Sequence, residues 1–318
     1  MSVPTTEQAI GLARSGDGAA SQAAPRSQGR ARAAGAPIVN AMSVDVEDYF
    51  QVQAFAGTID RARWAELPSR VERNTDAVMD LFDRAGVKAT FFTLGWVAER
   101  HPALIRRIAD AGHEVASHGW SHVRVDDQDA ETFRADVRRT KRLLEDTSGR
   151  PVRGYRAASF SMGPRTPWAH QVLAEEGYAY SSSIYPVKHD IYGDPDAPRF
   201  AHRPRPDLPI VELPGTTTRL MGRSWPCGGG GWFRLLPYPL MRAAMRRVNR
   251  VDRQPCIFYF HPWEIDPGQP RQKGIGLRTR VRHYTNLEAM EGRLARVLRA
   301  FAWDRMDVAF AGEIGPAR

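Results

Sequence analysis

Two histidines, His118 and His122, stand four residues apart in the stretch ASHGWSH. Imidazoles at that spacing can face one metal ion from a helix face or a tight loop. A single carboxylate would complete a three-ligand set that leaves positions open for water and a reactant. The run DVED offers Asp45, Glu47 and Asp48. Three acids within four residues repel one another unless a cation is near, and either a metal or Arg156, at the end of VRGYR, would supply it. The alternative for these acids is to cap the next helix or sit in water. His261 ends the apolar run CIFYF. Facing a metal it could protonate a leaving nitrogen near neutral pH, whereas in the core it would be a satisfied buried imidazole.

The surrounding pattern says how these residues could meet. From residue 37, apolar β-branched runs alternate with amphipathic runs that stop at glycine. PIVNAMSVDVEDYF, VKATFFTLG, HEVASHG, VRGYRAASF and YAYSSSIYP read as strands. The segments ending at Gly86, Gly112 and Gly149 read as helices, as does PRTPWAHQVLAEEG. This order predicts an α/β fold with a parallel sheet, open or closed into a barrel. In both forms, sites gather at the carboxyl ends of the strands. The acids follow the first strand, His118 and His122 the third, and Arg156 ends the fourth, so the three groups are expected to converge.

Further along, 186–235 is dense in Pro, Asp and Gly and reads as long ordered loops or a β-hairpin insertion over the site. QPCIFYFHPWEID resumes as a buried strand. A Gly/Arg-rich loop at 266–283, a helix near 285–301 and a final short strand, MDVAFAGEI, are expected to follow.

The chain has 318 residues, of which 42% are hydrophobic and 25% charged, an ordinary globular composition. Residues 1–36 are rich in Ala, Gly, Ser and Arg without an aromatic residue and read as a disordered extension. They lack the apolar core of a secretion signal, and no apolar run is long enough to span a membrane. A transit peptide, or a start at Met42, are alternatives for this end. The expected compartment is therefore the cytoplasm, with attachment to the inner face of a membrane through basic residues left open. The net charge of +9 fits an anionic substrate, a lipid headgroup or a nucleic acid. No nucleic-acid motif accompanies it, and basic clusters such as MRAAMRRVNR are spread along helical patterns, so nucleic-acid binding is not expected. Cys227 and Cys256 are too few for a disulfide framework and read as ordinary thiols.

Taken together, the motifs resemble those of the NodB-type polysaccharide deacetylases, carbohydrate esterase family four. The likeness is strongest to the subgroup encoded with exosortase/PEP-CTERM exopolysaccharide loci. SVDVEDYFQV, SHGWSH, GYRAASFS, YSSSIYP and IFYFHPWEIDPGQPR are similar to the family's five motifs in order, while YGDPDAPRFAHR, GGGGWFRLLPY and RHYTNLEAMEGRL are similar to subgroup sequence. The resemblance spans about residues 40–311.

It implies a deformed (β/α) barrel with loop or hairpin insertions over 37–318, with a subgroup-specific part from about 186. It implies a divalent metal, zinc foremost, held by His118, His122 and either Glu47 or Asp48. Asp45 would be the general base, Arg156 the group orienting it, and His261 the general acid. The implied reaction is hydrolysis of an acetamide on a sugar polymer or a lipid-linked oligosaccharide in exopolysaccharide biosynthesis. Trp120 and Trp263 are core aromatics or a wall on which sugar rings stack. Two positions depart from the pattern: Ala158 stands where the third motif has proline, and Ser181 where the fourth has aspartate, which bears on how His261 is tuned. Competing readings are a cyclic-amide or O-acetyl hydrolase on the same metal site, and a carbohydrate-binding protein with a decayed site. The oligomeric state is not legible.

Overall fold

The computed structural model describes residues 35, 37–190 and 192–316. The extension read as disordered therefore lies, apart from Gly35, outside the described residues. The strands are β1 (Val39–Val46), β2 (Thr90–Thr93), β3 (Glu114–Ser117), β4 (Gly154–Tyr155), β5 (Tyr180–Ser181), β6 (Val211–Glu212), β7 (Thr217–Leu220), β8 (Arg223–Pro226), β9 (Ile257–Phe260) and β10 (Ala302–Asp304). All except β7 and β8 form one parallel sheet in the order β10-β1-β2-β3-β4-β5-β6, with β9 also paired to β1. This curled half-barrel with helices outside it is the α/β barrel the sequence predicts.

Crossover helices supply the outer layer. Val71–Ala85 lies between β1 and β2, Pro102–Asp110 between β2 and β3, Ala130–Ser148 between β3 and β4, and Ala169–Glu175 between β4 and β5. Each buries one apolar stripe, such as Val71, Val78, Leu81 and Phe82 in the first, against the sheet. Gly86 and Gly149 take left-handed φ of 64° at two of the ends, where a side chain would be strained.

Between β6 and β9 no regular ladder closes the ring. Instead the Thr216 hydroxyl donates to Ile257 O and accepts from Ile257 N, and Tyr259 N donates to Gly228 O. A Cβ on Gly228, Gly229 or Gly230 would collide with Ile257, Tyr259 or Glu264 respectively. The glycine run is thus a close approach of backbone to β9, not a slack linker.

Three expectations are corrected. MDVAFAGEI is helical at Met306–Ala309 and Ala311–Ile314, and the last strand lies just before it, paired to β1. The stretch 266–283 is not all loop, because Leu277–Tyr284 is a helix. The hairpin in the Pro/Gly-rich region exists as β7–β8, but it packs near the helix Tyr238–Arg247, not over the site. β4 and β5 are two residues each, shorter than their apolar runs, because the chain turns into the site as soon as Arg156 and Ser182 are reached.

Candidate active site

Strand register explains why the residues meet. Val46, Thr93, Ser117, Tyr155, Ser181 and Glu212 lie level around the sheet. Glu47, His118 and Arg156 are each one step beyond that row. Val44 is level with Phe260, which sets Asp45 beside His261. All of these side chains sit at the carboxyl ends of the strands.

Glu47, His118 and His122 form a compact donor set, with one ligand atom from each lying within 4.8 Å of the others. His118 donates from Nδ1 to Arg156 O at 2.8 Å, which leaves Nε2 with its lone pair. His122 sits in a tight loop with φ 53°, not on a helix. That loop is fixed by Arg61, which donates to Ser121 O and His122 O, and by Asp136, which accepts from Trp120 N. Burial lowers the pKa of both imidazoles and keeps them neutral. Burial also raises Glu47 to about 7.

Glu47 Oε2 is buried, makes no hydrogen bond, and lies 3.1 Å from Nε2 of His122; Nδ1 of His122 is also unsatisfied. A buried carboxylate oxygen facing neutral imidazoles, with no donor between them, is what a divalent cation would satisfy. These three residues therefore fit a metal.

Asp48 is not part of the set. Its carboxylate accepts from the backbone N–H of Tyr49, Arg70 and Val71 and from the Ser69 hydroxyl, capping the helix Val71–Ala85. This corrects the choice between Glu47 and Asp48: the bland reading of an acid after a strand applies to the second acid and not to the first.

Asp45 is 2% exposed and accepts at Oδ1 from Arg156 Nη1 at 2.6 Å. Arg156 is fully buried. It also donates to the Ser43 and Ser182 hydroxyls and to Ser182 O, and its guanidinium lies 4.1 Å from the centre of the Phe92 ring. With this many anchors, Ala158 in place of proline does not loosen it.

His261 Nε2 lies 3.9 Å from Asp45 Oδ2 and 3.5 Å from Glu47 Oε1. Its Nδ1 bonds Glu264 Oε1 at 2.9 Å. Burial alone would lower the imidazole, but the charges of Glu47, Glu264 and Asp45 outweigh it and raise it to about 9. Burial likewise works against Glu264, and the Arg234 guanidinium with His261 holds it down at about 2.

Sequence reasoning missed Glu264 and Arg234. Arg234 is 1% exposed and donates to Glu264 Oε2 at 2.6 Å; its remaining N–H groups go to the carbonyls of Arg282, His283 and Thr285. The signal was the HPWE spacing, which puts an acid three residues after His261. The acid that Ser181 does not provide comes from there. Ser181 itself donates to the Ser183 hydroxyl.

The two tryptophans part company. Trp120 packs on Gly95 and carries the Arg139 guanidinium 3.2 Å from its ring centre; it does not line the cavity. Trp263 does line it, but is 6% exposed, stacks on His261 and His283, and donates to Glu47 Oε1 at 3.3 Å. It braces Glu47 and His261 and has no open face for a sugar. The open aromatic wall of this cavity of about 430 Å³ is elsewhere, at His189, Tyr192 and Trp232. His189 stacks on Tyr192 at 4.0 Å, and Trp232 Nε1 donates to the Tyr192 hydroxyl.

The strand ends of the parallel α/β half-barrel thus bring together a His/His/Glu donor set, an arginine-bound aspartate and a glutamate-bound histidine. Among known proteins, residues 56–180 match the family model described as polysaccharide deacetylase. Residues 182–311 match a model described as a domain of unknown function, DUF3473.

Over 75 residues the chain is 35% identical to a peptidoglycan-N-acetylglucosamine deacetylase of Listeria monocytogenes, which is 24% of this chain and 16% of that protein. Over 154 residues it is 26% identical to the peptidoglycan deacetylase of Helicobacter pylori, 46% of this chain and 50% of that one. The chain thus spans half or less of the length of these relatives. A Mycobacterium smegmatis crystal structure named for polysaccharide deacetylase shares the fold, with TM-score 0.57 and 21% identity over 92% of this chain and 98% of that one.

Proposed function

We propose that this protein is a metal-dependent hydrolase that removes N-acetyl groups from a sugar polymer or its lipid-linked precursor. The observation that carries the reading is the meeting, in one cavity, of a fixed carboxylate, a raised histidine and an unsatisfied His/His/Glu set. Glu47, His118 and His122 would hold the ion, zinc suiting two imidazoles and a carboxylate. When bound, such an ion polarises an acyl oxygen and acidifies water.

The chain's own groups supply the proton traffic. Arg156 occupies Oδ1 of Asp45 and orients the carboxylate, so Oδ2 is the oxygen available to take the proton of the attacking water. His261 is poised as the imidazolium and gives the Nε2 proton to the departing amine. Glu264 accepts from Nδ1 and so holds that ring in place. Acetate and a free amino sugar result. Trp232 and Tyr192 give a neighbouring sugar ring a flat apolar surface.

The names of the relatives support an N-acetylated polysaccharide as substrate. The motif resemblance supports an exosortase/PEP-CTERM exopolysaccharide role and a cytoplasmic-side location. Asp45, His118, His122 and His261 are all present and adjacent, which argues against a decayed binding protein.

The test is acetate release from N-acetylglucosamine oligomers, before and after chelation and zinc return. Release that stops with the chelator and returns with zinc supports the reading. No release under metal-replete conditions contradicts it.

A further inference from the structure

The β7–β8 hairpin presents an apolar tip to solvent. Leu220 is 55%, Met221 94% and Trp225 50% exposed. Leu220 pairs with Arg223, so Met221 and Gly222 form a two-residue turn, with φ of 50° and 76°. Both positive values match a type I′ turn, which asparagine or glycine suits and an unbranched apolar side chain does not. Met221 is thus a poor choice both for the turn and for water. Folding does not explain it; contact with an apolar phase does.

The hairpin is a mounted feature. Arg199 donates to Thr217 O and pairs with Asp252 at 3.0 Å, tying the hairpin base to the turn that follows the helix Tyr238–Arg247. Arg247 donates to Arg219 O, which brings the helix Tyr238–Arg247 alongside. That helix and the turn after it expose Leu240 and Val251, seven residues before and four after Arg247 and so on its side of the helix.

The charge around this apolar tip has one sign. Arg219 and Arg223 are exposed on the hairpin, and residues 217–226 contain no acid. Residues 238–253 hold five arginines against one acid, Asp252, which Arg199 already engages.

We infer that this face docks on an anionic lipid bilayer, with Leu220, Met221 and Trp225 entering the headgroup boundary and the arginines meeting lipid phosphates. An apolar tip with an aromatic residue and flanking guanidinium groups suits that boundary, where apolar burial and attraction to anionic lipid act together. A second copy of this chain is a poorer occupant, because pairing like faces would bring arginines against arginines. The hairpin base lies beside Ile257, at the end of β9 opposite His261. Docking there therefore leaves the cavity open to a polymer.

The test is co-sedimentation of the full chain with vesicles of phosphatidylcholine alone or mixed with phosphatidylglycerol. The mixed vesicles are expected to bind it, less so as salt rises. The variant Leu220→Ser/Met221→Asn/Trp225→Ser, in which asparagine favours the turn, is expected to weaken binding at least about tenfold. Arg219→Gln/Arg223→Gln is expected to weaken binding and flatten its salt dependence. Failure to bind phosphatidylglycerol vesicles at low salt would overturn the inference, as would binding that ignores both variants. So would a dimer in sedimentation that Met221→Asn abolishes, since the hairpin would then serve a second copy.

Discussion

At the scale of single residues, the site is built from two carboxylates with opposite duties. Asp45 is paired with a buried guanidinium, whereas Glu47 keeps an oxygen free of any donor. The sequence left Glu47 and Asp48 interchangeable as the ligand acid, because side-chain direction is not visible in spacing. What separates them is the end of β1: the chain leaves the strand at Glu47, and Asp48 turns back to the helix N-terminus. Glu264→Gln keeps the shape but removes a charge from His261. We expect kcat to fall by roughly 10–10²-fold. The limb of the rate profile on which His261 loses its proton should also move to lower pH, because less negative charge then supports the imidazolium. A variant with wild-type kcat and an unmoved limb would show that Glu264 does not tune the acid. With Glu47 engaged by a cation, Glu264 carries more of what keeps this ring protonated.

At the scale of elements, Asp48→Ala should separate capping from ligation. Removing the acceptor for Arg70 N and Val71 N is expected to cost about 1–2 kcal/mol of stability, read by chemical denaturation, with metal stoichiometry unchanged. Loss of metal in this variant would restore Asp48 as a ligand. The turn before β3 gives a second prediction. His113 accepts the Ala89 N–H at Nδ1, and burial, with Lys88 and Arg305 nearby, lowers it from 6.5 to about 4. The unfolded chain takes up this proton between those values and the folded chain refuses it. Stability from this group is therefore present above pH 6.5 and lost as pH falls toward 4. The loss is at most about 3 kcal/mol. Denaturation at pH 7 and pH 5 should show a smaller loss in His113→Gln than in the wild type; equal losses would refute the assignment.

At the scale of the molecule, the sequence was most informative where one periodicity ran long. The helices ending at Gly86 and Gly149 and the strand–helix alternation of a parallel sheet could be read directly. So could the meeting of Asp45, His118, His122, Arg156 and His261, since strand ends in a parallel sheet converge whatever the loops do. It was least informative after residue 186, where structure is set by tertiary contact. Nothing local says that the glycine run lies against β9, that Arg234 reaches Glu264, or that Trp232 and Tyr192 form the open wall assigned to Trp120 and Trp263. Because that wall comes from the later part of the chain, Trp232→Ala should weaken binding of an N-acetylglucosamine tetramer more than of the monosaccharide, by about tenfold in calorimetry. Equal effects on both would place Trp232 outside the binding surface.

We propose that Glu47, His118 and His122 hold a catalytic ion. Elemental analysis of the purified protein and of His118→Ala/His122→Ala, with acetate release measured on the same samples, tests it most directly. One divalent ion per chain is expected in the wild type, with ion and acetate release lost together in the variant. Acetate release that persists in a wild type stripped of metal, or in the variant, would contradict it.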